Sequence, residues 1–273
     1  MVGIPRRWRA AAAGLVLAVP AMTACQRSTA LLTFRPTANA HLRYQVDVHS
    51  TSVTTLDGSA PRRRQEVTRL IIDQRVVGST RDGVTVEVEL RGEGQAPQRF
   101  VARLDRSGQL AEIDRVEGIP ASLLGRLGIA ELFPVAAGSP PPRRLGAGEH
   151  WALRQPVIVP DRKQVSLTGE GKLTAFSIDG RRRVARVDET YRLPVRQTAP
   201  DPAGTITLAG TETTKASTTR WVNDGSVVRV HAHTTGRFRV TITAPASAPL
   251  ATAGTTVSGT MTIEVDSTTR RLD

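Results

Sequence analysis

Cysteine occurs once in the 273 residues, at position 25, so no disulfide can form within the chain and the fold must rest on a packed core. Aromatic residues make up 4% of the composition, and Lys163, Lys172 and Lys215 are the only lysines among 37 basic residues. No apolar run reaches the roughly 20 residues that span a bilayer. Chemical signatures are missing too: there is no Gly-x-Ser-x-Gly elbow, His-Glu-x-x-His pair, phosphate loop or dinucleotide fingerprint. Those absences remove the familiar hydrolase, metalloprotease and nucleotide-dependent classes, and no catalytic residue, cofactor or metal is expected. No basic helix or aromatic-spaced motif accompanies the positive charge, which leaves nucleic acid without a binding element.

What is present begins at the N-terminus. Arg6-Arg7-Trp8-Arg9 precede an apolar segment, Leu15 to Ala24, that ends at Cys25. A basic run, a short apolar stretch and a small residue before the cysteine read as a secretory signal over residues 1–24. The stretch resembles the lipobox of bacterial lipoproteins, with Met22 and Thr23 where that pattern has Leu and then Ala or Ser. The resemblance covers residues 1–25 and implies that Cys25 is diacylated and anchors an exported protein to the outer face of a bacterial cell membrane. Two acyl chains, at about 0.8 kcal/mol per buried CH₂, hold a protein there durably. Residues 25–30 are then a lipidated tether and 31–273 a single β-rich domain.

Three of the 37 basic residues and none of the 25 acidic ones precede Cys25, which leaves a formal charge of +9 on the rest. The arginines cluster where turns are expected: Arg62-Arg63-Arg64, Arg143-Arg144, Arg181-Arg182-Arg183 and Arg270-Arg271. Solvated turns account for them, and attraction to an anionic surface is the functional alternative.

Leu42, Tyr44, Val46 and Val48 alternate with Arg43, Gln45, Asp47 and His49, which predicts a half-buried strand. The same period returns at Val84 to Leu90, Phe100 to Leu104, Val228 to Ala232, Phe238 to Ile242 and Met261 to Val265. Asp57-Gly58, Asp82-Gly83, Ser107-Gly108, Asp179-Gly180 and Asp224-Gly225 lie between these runs, and Gly supplies the positive φ of tight turns. Long antiparallel meanders are expected. The Thr-rich segment Gly204 to Thr219 reads as an exposed or edge strand.

One stretch breaks the alternation. Ile119 to Gly128 opens with Pro120 and sets Leu123, Leu124 and Leu127 at helical spacing, so a short helix covering one face of the sheet is expected there. Gly138-Ser139-Pro140-Pro141-Pro142 then reads as a connector. The two sides of it share a weak two-fold repeat, 31–138 and 144–268: Asp82-Gly83 parallels Asp179-Gly180, and Arg103 to Leu110 parallels Arg220 to Val227.

The fold class expected is therefore all-β with a minor helix, a long antiparallel sheet in two related halves. The lipidated N-terminus, the Leu-x-Tyr strand, the hairpins and the central Gly-x-Gly-Glu-x-Trp stretch from Gly146 to Trp151 resemble envelope lipoproteins of uncharacterised function. More distantly they are similar to the lipoprotein-localisation carrier superfamily, which implies a curved sheet or half-barrel around short helices that holds acyl chains. On this reading the protein is non-catalytic and carries a hydrophobic ligand, a lipid or glycolipid, with Leu123, Leu124, Leu127, Trp151 and Trp221 as candidate contacts. Indoles at strand starts also belong in a core by the area they bury. The alternative is a tethered interaction module that presents basic turns or a sheet edge to another envelope component or an anionic surface. His231 and His233 share one strand face and, with His150, Glu149 or another carboxylate, are the candidates for a metal; no third ligand has diagnostic spacing, so they are placed on the solvent face opposite Val230 and Ala232.

Overall fold

The computed structural model describes residues 28–94, 96–108, 110–117, 139–158, 164–201, 204–244 and 254–272. Their strands are β1 (Thr29–Leu31), β2 (His41–Leu56), β3 (Arg62–Ser79), β4 (Gly83–Gly92), β5 (Gln98–Asp105), β6 (Leu110–Glu117), β7 (Arg144–Gly146), β8 (His150–Ile158), β9 (Gln164–Asp179), β10 (Arg182–Asp201), β11 (Gly204–Trp221), β12 (Val227–Thr243) and β13 (Thr256–Arg271). No helix occurs among the described residues, and the one expected around Leu123, Leu124 and Leu127 lies outside them.

Eleven strands form one antiparallel sheet in the order β6-β5-β4-β3-β2-β13-β12-β11-β10-β9-β8, and β1 pairs with β7 beside it. The edge strands β6 and β8 approach within 8 Å between Cα atoms, and among the described residues they do not join in a ladder, so the sheet curves strongly and stays unclosed there. β10, at 20 residues, runs about 65 Å at the usual rise. Bulges between Val76 and Gly78, Arg186 and Val187, and Thr219 and Arg220 all fall toward one end of the strands, where the added twist helps the sheet to curl.

Period-2 alternation places the core as expected. Leu42, Tyr44, Val46 and Val48 on β2 and Val84, Val86, Val88 and Leu90 on β4 are all buried. A second cluster on β8–β10 includes Trp151, Leu153, Leu173, Val187 and Tyr191. On the opposite face, unlike charges stand directly across the ladders: Asp47 against Arg69, Glu87 against Arg75 and Glu89 against Arg99. The Arg69 hydrogen bond at 2.7 Å holds the Asp47 carboxyl below its ordinary value, and Arg91, with Arg99, does the same for Glu89. Such pairs favour one register because a one-residue slip sets each of them against the wrong partner.

Two sequence expectations are corrected. Gly204 to Thr219 is no edge: β11 lies between β10 and β12, with both ladders filled along its length. Its threonines suit a central strand because β-branched side chains pack well across a pleated sheet. Gly83 does not turn the chain through a positive φ, unlike Gly58, Gly108, Gly180 and Gly225. It is needed for close approach, since a Cβ there would sit 2.3 Å from the carbonyl oxygen of Leu104.

Residues 28–36 form a strap across the end of the sheet that carries the β3/β4, β5/β6, β9/β10 and β11/β12 turns. Leu32 and Phe34 are fully buried beneath it. Phe34 N donates to Arg106 O at 2.8 Å and Arg35 N to Asp224 O at 2.7 Å, which ties the strap to the β5/β6 and β11/β12 turns together. The two turns are built alike: Asp105 Oδ1 accepts from the backbone N–H and hydroxyl of Ser107, and Asp224 Oδ1 from those of Ser226. The far ends of β10–β13 have no such strap among the described residues.

Candidate functional site

Beyond the two core clusters, the core-bearing face of the sheet changes character twice. On β10–β13 it first becomes polar: Glu189, Glu212, Thr214, Thr218, Arg220, Thr234, Ser267 and Thr269 are all buried there. Thr214 and Thr234, opposite in register, bring their hydroxyls to 2.8 Å. Arg220 is fully buried, and its Nη1 donates to Gly225 O at 3.0 Å. Burial pushes its guanidinium down to about 10, partly offset by the charge of Glu189, so it stays ionised at neutral pH. Gln74 and Thr218 turn further polar groups into the same interior without a partner among the described residues.

Toward the unstrapped end the same face becomes apolar again. Leu208 stands opposite Val240 and Phe238 opposite Met261, with Ile206, Ile242 and Ile263 alongside. Phe238 and Val240 are buried, whereas Ile206, Leu208, Ile242, Met261 and Ile263 keep part of their surface exposed. Gly236 makes the band smooth: a Cβ there would meet the Phe238 ring at 2.6 Å and Ile263 at 2.7 Å. A half-exposed apolar band bordered by buried hydroxyl and carboxylate groups is a surface for an amphiphile.

The residues singled out in the sequence fall in different places. Cys25, Leu123, Leu124 and Leu127 lie outside the described residues. Trp151 is buried in the β8–β10 wall against Gly171, where a Cβ would come within 2.4 Å of the indole. Gly171→Ala is therefore expected to displace the ring and lower stability by about 1–3 kcal/mol, read as a shift of the urea midpoint at unchanged slope. Trp221 stands at the other end of β11 from Ile206 and Leu208, with the guanidinium groups of Arg182 and Arg271 over its ring at 3.9 and 4.3 Å. Neither tryptophan belongs to the apolar band.

His231 and His233 face away from Val230 and Ala232, into a polar groove of about 620 Å³ across the outer face of β8–β13 that His150 also lines. Lys172, Lys215, Arg186 and Asp188 share it. Burial opposes ionisation of Asp188, but hydrogen bonds from Ser217 and Thr174 and the Arg186 charge outweigh it and hold the carboxyl below its ordinary value. The partners of His233 come from the neighbouring strand: Nδ1 lies 2.8 Å from Asp266 Oδ1, and Nε2 lies 4.0 Å from Glu264 Oε1. These three ligand atoms lie within 4.8 Å of one another, but all three side chains are open to solvent, and a cross-strand hydrogen bond between His233 and Asp266 on a polar face accounts for the arrangement. No spacing within one strand could reveal it, because the register of β12 on β13 brings residue 233 opposite 266.

Sequence reasoning missed Arg220 and the polar belt. On β11 neither phase is apolar: Glu212, Thr214, Ala216, Thr218 and Arg220 alternate with Thr213, Lys215, Ser217 and Thr219, so nothing marks the inward set. The apolar band was visible as alternation, in Phe238 to Ile242 and Met261 to Val265. Compared with known proteins, the chain matches no family model and is similar to no curated protein.

Proposed function

We propose that the chain is a non-catalytic lipoprotein of the bacterial cell envelope, tethered through a diacylated Cys25, that holds a lipid or glycolipid against the apolar band of a half-barrel. The observation that carries this reading is the band itself: Leu208, Met261 and Ile263 extend the core-bearing face past the core and stay half-exposed. A protein gains nothing from leaving contiguous apolar surface in water unless something occupies it. The bordering belt of Thr214, Thr234 and Glu212 favours an amphiphile over a bare hydrocarbon. The segment from Pro120 to Phe133, with Leu123, Leu124 and Leu127, is the proposed cover.

The test is extraction of the protein from its own membrane in mild detergent, followed by lipid analysis of the purified material. About one amphiphile per chain is expected. Leu208→Asp with Ile263→Asp should lower its occupancy at least about tenfold, because a carboxylate in an apolar site must be desolvated or protonated. Protein that emerges lipid-free, apart from its own acyl chains, would overturn the proposal. The alternative of an interaction module draws on the basic turns alone, since the edges β6 and β8 lie against each other and β11 is central.

A further inference from the structure

We infer that the strapped end of the sheet is a docking surface for an anionic bilayer, and that the apolar band opens at the end facing away from that bilayer. The position of the anchor in this inference rests on the reading of Cys25 given above, whereas the charge and exposure of the surface do not.

The chain enters the domain at this end. Ser28 Oγ accepts a hydrogen bond from Arg183 Nη2, at the start of β10 beside the β9/β10 turn. Only Gln26 and Arg27 lie between Cys25 and Ser28, and three Cα–Cα steps of at most about 3.6 Å each reach roughly 11 Å, so acyl chains on Cys25 bring this end to the headgroups. The surface they bring is basic. Arg35, Arg81, Arg181 and Arg182 are exposed on its turns and strap, with Arg183 and Arg271 partly so. Acidic side chains there are fewer: Asp82 and Asp179 are exposed, while Asp105 and Asp224 are engaged by Ser107 and Ser226.

Apolar groups stand among these arginines. Ile178, paired with Arg183, is 69% exposed, and Leu272, next to Arg271, is 41% exposed. Arg182 and Arg271 are steadied over the ring of Trp221, which suits guanidinium groups that must meet phosphate oxygens. A half-buried indole, two exposed aliphatic side chains and a ring of arginines match the chemistry of the headgroup layer, where the charge meets lipid phosphate and the apolar tips lie just below it. Arg62, Arg63 and Arg64 are equally exposed but stand beside the β2/β3 turn at the opposite end.

The full chain carries its own reporter. Beyond residue 24 the tryptophans are Trp151, which is buried, and Trp221 on the basic end. The full chain, purified from membranes, is put into vesicles of brominated phosphatidylcholine with or without brominated phosphatidylglycerol, and its intact mass reports whether Cys25 is acylated and the signal removed. Trp221 emission is expected to be quenched in the anionic vesicles and to recover at about 1 M salt, where the Debye length falls to roughly 3 Å. Arg35→Ser, Arg81→Ser and Arg181→Ser together should abolish most of the quenching. Arg62→Ser, Arg63→Ser and Arg64→Ser together remove the same charge and should leave it intact. Equal behaviour of the two triple variants, or equal quenching in neutral vesicles, overturns the inference even where the mass shows an acylated Cys25. An unacylated chain whose quenching in anionic vesicles still depends on the first triple removes the lipoprotein reading and leaves the docking surface standing.

Discussion

Arg220→Met is expected to destabilise the domain by about 3–5 kcal/mol, the range for removing one member of a buried charge pair. That is a large part of the roughly 5–15 kcal/mol that keeps a domain folded. Arg220 is fully buried, donates to Gly225 O at 3.0 Å beside the strap, and feels the charge of Glu189, itself 6% exposed. Methionine fills much of the same volume and supplies neither the donor nor the cation, so Glu189 is left buried without its counter-charge. The sign of the pH effect follows from burial. Because the folded-state guanidinium lies at about 10, below its ordinary value, the wild type bears the desolvation penalty at neutral pH and sheds it only as pH rises through 10. Pairing Arg220→Met with Glu189→Gln should recover more than half of the loss, since Glu189 then no longer carries a charge that has lost its partner. Urea unfolding of the three variants decides it: a single variant within about 1 kcal/mol of wild type would show that the pair does not hold the belt together.

Cys25→Ser is expected to abolish fatty-acid labelling and membrane attachment completely while leaving the unfolding midpoint of the domain unchanged. Residue 25 precedes β1, which starts at Thr29, and the buried strap residues start at Ala30, so the substitution alters none of the residues that build the core. It does remove the thiol that would accept the diacylglyceryl group. Cells expressing the variant are fractionated and labelled with radioactive fatty acid. Persistent labelling would sink the lipoprotein reading, and a lowered midpoint would sink the independence of anchor and fold.

The two variants probe different levels of organisation. Cys25 was found by a local pattern of charge, apolar length and residue size. Arg220 gave no such sign, because its burial depends on which strands flank β11. The same contrast separates the two tryptophans: both were placed at strand starts, yet Trp151 is buried against Gly171 in the β8–β10 wall, whereas Trp221 stands at the end of β11 among arginines.

The all-β class, the inward residues of β2, β4, β5 and the ends of β12 and β13, and most of the turns are legible in the residue pattern alone. These are consequences of a two-residue period and of backbone torsions that only certain residues adopt, and both act within a few positions along the chain. Tertiary structure alone decided that β13 returns to pair with β2 and joins two meanders into one sheet of eleven strands. Strand pairing likewise gives β11 its central place between β10 and β12 and buries Arg220, sets Asp266 opposite His233 on β13, and gathers distant arginine clusters at the strapped end. Strand pairing is made between residues up to more than 200 positions apart, as Arg271 with Tyr44, and no local period records which neighbour a strand will find.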